Sequence, residues 1–148
     1  MIGPPQVNDQ GHVVPHDHVD IRDDWVVIRR IHSGWLKDVT DGYIGLTTAS
    51  FTESSEPPGG MSIDILNLLE RADVDAPSYV TQHPGRPYAV RFRVGDLRKL
   101  GLQVGFDPLD EQPPFPANPF HGEVWGTKPR RIRNELRRIA NWYVAPNQ

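Results

Sequence analysis

The sequence predicts an α+β fold, a single domain with a mixed or antiparallel sheet, short helices and a C-terminal amphipathic helix. Three observations carry that expectation. Short β-prone runs recur along the chain from Trp25 onward. The stretch "YAVRFRVGDLRKLGLQVGFDP" reads as strand, short helix, strand. The stretch "TKPRRIRNELRRIANWYV" holds apolar residues at helical spacing, with arginines on the other face.

Residues 1–20 carry Pro4, Pro5 and Pro15 and develop no apolar period, so they are expected to form a flexible N-terminal arm ahead of a domain spanning 21–148. The first strand is placed at Trp25 to Ile31. Turn signals follow at Ser33-Gly34 and Asp41-Gly42, the second ahead of a β-prone run from Tyr43 to Thr48. Thr52 to Gly60 reads as a surface loop. Met61, Ile63 and Ile65 alternate like a strand and lead into a helix from about Leu66 to Ala72.

A strand at Tyr88 to Arg93 is followed by a helix capped by Asp96 and stopped by Gly101, then by a strand from Leu102 to Phe106. Asp107 to Pro119 forms a loop stiffened by five prolines and expected to gate a site. "HGEVWG" supplies a last short strand. In the terminal helix Thr127 is the expected N-cap and Pro129 lies in the first turn, while Ile132, Leu136, Ile139 or Ala140 and Tyr143 form the apolar stripe.

With 148 residues the chain has the size of one domain, and 37% apolar against 24% charged residues is a globular composition. The longest apolar run, Trp25 to Ile28, is far too short for a bilayer, and no leader-like segment opens the chain, so a cytoplasmic location is expected. The absence of cysteine excludes disulfides, thiolate metal sites and cysteine nucleophiles. Residues 1–74 hold five basic and twelve acidic side chains, a net of −7, whereas residues 75–148 hold eleven and seven, a net of +4. That polarity suits a protein partner or a homo-oligomer.

Walker, dinucleotide-binding, EF-hand and His-Glu-x-x-His motifs are missing, and neither Ser50 nor Ser62 sits in a nucleophile elbow. The chemistry-bearing candidates are therefore histidines at element boundaries. His32 follows the first strand and His121 precedes the last. Facing one cleft, they would act as general acid and base, with Arg30 or Arg93 binding an anion and Asp64 or Glu123 orienting an imidazole. The plainer alternative is that both satisfy backbone groups at strand ends.

His12, His16, His18 and Asp20 superficially resemble the metal-binding run of metallo-hydrolases, but Ile21 stands where its last histidine belongs, so only adventitious metal binding by a mobile arm is expected. No cofactor and no dedicated metal are expected. The basic helix face offers Arg130, Arg131 and Arg137 to nucleic acid, against the plainer reading of a solvated or internally paired surface.

Together "RRIH" (29–32), "TTASF" (47–51), "MSIDI" (61–65), "VGDLRKLGLQVGFDP" (94–108) and "NPFHGEVWG" (118–126) resemble motifs of a group of small bacterial proteins. The resemblance implies that His32, Asp64 and His121 belong to a recurring pattern and brings no activity with it. The leading expectation is a His-based cleft at His32, Asp64 and His121 performing metal-independent acid–base chemistry on a phosphorylated or nucleotide-like substrate. The competing expectation is a non-catalytic interaction module, of the kind that accompanies defence or toxin–antitoxin systems, with an exposed apolar patch around Trp35, Phe115 and Phe120.

Overall fold

Six strands pair antiparallel throughout in the order β6-β7-β4-β1-β5-β8, giving the α+β architecture. The strands are β1 (Val26–Ile31), β4 (Met61–Ile65), β5 (Tyr88–Arg93), β6 (Gln103–Phe106), β7 (His121–Trp125) and β8 (Asn141–Val144). A separate ribbon joins β2 (Leu36–Asp38) to β3 (Ile44–Leu46). The helices are α1 (Leu66–Arg71), α2 (Ala76–Val80), α3 (Val94–Lys99) and α4 (Arg130–Ile139). This computed structural model describes residues 2–38, 44–52 and 60–146. The Asp41-Gly42 turn and most of the Thr52 to Gly60 loop lie outside them.

Side-chain alternation gives the sheet two unlike faces. Val27, Ile31, Ile63, Ile65, Val90 and Phe92 enter the main core, where Ile132 and Leu136 of α4, Leu97 of α3 and Phe51 of a 3-10 turn (Thr48–Phe51) meet them. On the other face Ile28 and Ala89 pack under Leu69 of α1 and Ala76 and Val80 of α2. The β4 and β7 part of that second face carries Ser62, Asp64, His121 and Glu123 instead. It is a polar strip set within a sheet.

The unit from Tyr88 to Phe106 forms as expected, with Gly101 ending the α3 region at φ +82°, where a Cβ would be strained. Asp96 lies in the first turn of α3, and the N-cap position belongs to Arg93, which makes no side-chain capping bond. In α4 the N-cap is Pro129 rather than Thr127, and the helix stops at Ile139. Tyr143, expected on its apolar stripe, lies in β8. The run Trp142, Tyr143 and Val144 has strong β propensity, and pairing with the free edge of β5 outweighs the helical spacing. Asp75 caps the unforeseen helix α2 by accepting from Ser78 N, with proline in the first turn.

The N-terminal stretch expected as an arm is seated on β6. His18 N donates to Val104 O (2.9 Å), Asp17 Oδ1 accepts from Val104 N (2.9 Å) and His16 Nε2 accepts from Phe106 N (3.2 Å). These bonds satisfy an edge strand that would otherwise be open. Arg98 ties the arrangement together, donating to Asp17, Asp23 and the His18 carbonyl. Arg98→Ala is expected to raise amide exchange at His18 and Val104 about tenfold while α4 amides stay unchanged. Equal protection in the two proteins would show that Arg98 does not hold the arm.

Candidate functional site

The register fixes which candidates can meet. Ile28 pairs with Asp64 and Asp64 with His121, while Ser62 pairs with Glu123. By the same register Arg30 stands opposite Ser62. Arg30, Asp64, His121 and Glu123 therefore share one face of three central strands. His32 lies four residues further along β1 than the level of His121 and two strands away, roughly 16 Å at standard strand spacings. It is exposed, and its Nδ1 accepts from Gly34 N (2.9 Å), capping the 3-10 turn Ser33–Trp35. The expected pairing of His32 with His121 is not formed, because two successive antiparallel pairings leave β1 and β7 running the same way, so the end of β1 and the start of β7 lie at opposite edges of the sheet.

Arg93 is also separated. It pairs with Val26 at the far end of β1 and lines a shallow depression of about 400 Å³ with Asp23, Asp96, Arg98 and Lys99.

Asp64 serves a partner other than the one expected. Its carboxylate accepts from Arg30 Nε (2.8 Å) and Nη2 (3.3 Å), and from Asn118 Nδ2 (2.9 Å). Asn118 Oδ1 in turn accepts from Tyr79 OH (2.8 Å) and Phe120 N (3.1 Å). The Asp64 side chain is 3% exposed, so an ion pair with further hydrogen bonds is the arrangement that makes its burial tolerable. It orients a guanidinium, not an imidazole. The same bonds explain "NPFH": Asn118 anchors the loop to the sheet, and Phe120 packs against the smaller apolar cluster just before β7 begins.

His121 is flanked by two carboxylates. Its Nδ1 donates to the Asp107 carbonyl (2.7 Å), which orients the ring so that Nε2 faces the Glu123 carboxylate. Nε2 lies 3.8 Å from Glu123 Oε1, and Asp107 Oδ2 lies 3.8 Å from Nδ1. Burial, reinforced by the Asp107 carboxylate, pushes the Glu123 carboxyl up to about 7, with Arg29, Ser62 and Lys128 opposing the rise. Burial raises Asp107 as well, against the pull of His121 and His16. Among the described residues, Glu123 Oε2 is buried without a hydrogen-bond partner, as is Trp125 Nε1. Both atoms point at the position a Cβ on Gly60 would occupy, so glycine there leaves the space they use.

Asp107 was not among the expected site residues, yet a signal for it existed. Two consecutive strands usually pair as a hairpin, and β6 and β7 do, placing Phe106 opposite Gly122 and Asp107 N on the His121 carbonyl (3.0 Å). The intervening loop, expected as a gate, continues that hairpin through bridges at Leu109 with Asn118 and Gln112 with Phe115.

Near the C-terminal end of β1, Arg29 and Arg30 leave opposite faces of the sheet and Arg86 lies within electrostatic reach of both. Arg29, 2% exposed, donates to the Ser50 and Ser62 carbonyls (3.0 Å each). Its pKa is lowered to about 10, first by burial and then by Arg86, with Glu123 acting in the other direction. Arg29 and Arg86 both lie against the Trp35 ring, 5.2 and 5.1 Å from its centroid, and Arg30 lies 5.4 Å from that of Tyr79. Burial and the nearby Arg30 lower the pKa of Arg86, which has no carboxylate partner among the described residues. Of Trp35, Phe115 and Phe120, only Phe115 is largely exposed; its ring stacks on His83.

No protein-family model, no curated protein and no solved structure matches this chain. Its functional reading therefore rests on the geometry alone.

Proposed function

We propose that the protein acts on a small phosphorylated or nucleotide-like molecule, held by Arg86 and Arg30 beside Trp35 and presented to the polar strip on β4 and β7. The observation that carries this reading is Arg86, a half-buried guanidinium on an aromatic ring, without a carboxylate partner among the described residues and within repulsive range of two other arginines. Such a cluster gains most from an anion, and a guanidinium fork matches phosphate geometry. The Trp35 ring beside Arg86 supplies a flat surface on which a base stacks.

Titration calorimetry with adenosine monophosphate and with inorganic phosphate tests the proposal. Arg86→Ala is expected to weaken binding at least tenfold, about 1.4 kcal/mol or more. Absence of binding to the wild type, or undiminished binding to the variant, would refute it.

A second reading has its own observation. Arg130, Arg131 and Arg137 on α4 are exposed and make no ion pair among the described residues, whereas Arg138 pairs with Glu135 (2.7 Å). That face suits a polyanion, and its signature is nucleic-acid affinity that falls steeply with salt and disappears when the three arginines are neutralised. No helix among the described residues is long and apolar enough to cross a membrane.

A further inference from the structure

We infer that Asp107, His121 and Glu123 form a binding site for one divalent transition-metal ion, with His121 Nε2 and one oxygen of each carboxylate as ligands. One donor atom from each residue lies within 4.8 Å of the other two. The decisive distance is 3.8 Å between Nε2 and Glu123 Oε1. It is too long for a shared proton, since hydrogen bonds of this kind close to about 2.7–3.2 Å. Two donors each about 2.1 Å from one ion stand roughly 3.4 Å apart at a tetrahedral angle and farther apart at wider angles, so the spacing fits co-ligands.

The surroundings are those of a ligating imidazole. The other ring nitrogen donates to a backbone carbonyl, which orients the ring and turns the Nε2 lone pair toward the carboxylate. Glu123, with its side chain 6% exposed, turns Oε1 toward Nε2, where Ser62 Oγ also donates to it at 3.5 Å, and its other oxygen, Oε2, has no hydrogen-bond partner among the described residues. The two carboxylates flank the ring, one oxygen 3.8 Å from each nitrogen, and a cation among these donors offsets the repulsion between the two acids. Mixed imidazole and carboxylate donors without thiolate select ions such as Zn²⁺ or Mn²⁺ over Mg²⁺ or Ca²⁺. Three protein ligands leave further positions for water or an anionic group.

The site replaces the expectation of metal-free chemistry and does not depend on the anion-binding reading. Zn²⁺ titrated into chelator-stripped protein near neutral pH, followed by calorimetry and by histidine ¹⁵N shifts, tests it. One equivalent is expected to bind at micromolar or tighter affinity and to move His121 Nε2, and Co²⁺ in its place is expected to give visible d–d absorption. His121→Gln and Asp107→Asn should each weaken binding at least tenfold, and Asp107, its side chain 21% exposed at the loop edge, serves if the buried variant does not fold. Arg86→Ala should leave Zn²⁺ affinity unchanged, so a failed anion site and a failed metal site are distinguishable. Absence of stoichiometric binding, or binding that shifts His12, His32 or His83 instead and survives both ligand substitutions, would overturn the inference.

Discussion

Arg29→Ala is expected to destabilise the fold by about 3 kcal/mol, measured as a fall in the urea midpoint at constant slope. The side chain leaves the sheet inside the main core yet carries a charge, and its Nε and Nη1 donate to the Ser50 and Ser62 carbonyls. Those bonds tie the Thr48–Phe51 turn and β4 to β1. Removing the guanidinium deletes two hydrogen bonds from a charged donor, each worth about 1.5–3 kcal/mol, and opens a void beside Trp35. Relief of the arginine's own desolvation offsets part of this, which is why the figure is not larger. Arg29→Met separates the contributions because it refills the volume without restoring a donor. It should recover less than half of the loss; a methionine variant as stable as the wild type would mean that the hydrogen bonds contribute nothing net.

Glu123→Gln is expected to act in the opposite direction, stabilising the chelator-treated protein by about 2 kcal/mol near pH 8. The carboxyl titrates near 4.5 when unfolded and near 7 in the fold, an interval corresponding to about 3 kcal/mol. Because the folded value is the higher one, the native state binds more protons between those limits and wild-type stability falls as pH rises from about 4.5 to about 7. Below that window Glu123 is protonated in both states and the advantage of glutamine vanishes. Above it the whole penalty falls on the wild type alone, less what a buried amide still loses. Thermal midpoints of the two proteins across the window should therefore converge at acid pH and separate on the alkaline side. Parallel curves would show that the Glu123 carboxylate is not strained by its burial.

Much of this architecture is written in local pattern. Met61, Ile63 and Ile65 alternate and then give way to a helical stripe, and the chain follows both signals. The unit from Tyr88 to Phe106 is equally plain, since strand composition and a glycine at positive φ agree. β8 was obscured because Tyr143 falls at helical spacing from Ile139 and Ala140, and only a long-range pairing with β5 decides the matter. α2 announced itself through Asp75 followed by a proline, a capping signal easily lost beside a turn-rich segment.

The site was legible in its strand residues and obscure elsewhere. Arg30, Asp64, His121 and Glu123 stood out as polar residues in or beside strands, and the antiparallel order of β1, β4 and β7 brings them onto one face. His32 looked equivalent to His121 because both sit at strand boundaries, but sequence does not state which ends of the strands adjoin. Arg86 gave no signal, since "HPGRP" reads as a turn, and its importance comes from Trp35 and two arginines distant in the chain.

The most direct measurement of the central claim is an NMR titration with adenosine monophosphate that follows arginine Nε and tryptophan indole signals residue by residue. Saturable shifts of Arg86 and Arg30 Nε, accompanied by the Trp35 indole and absent from Arg130, Arg131 and Arg137, are the predicted result. Shifts confined to the α4 arginines, or no saturable shift at Arg86, would contradict the claim that the β1 arginine cluster is the ligand site.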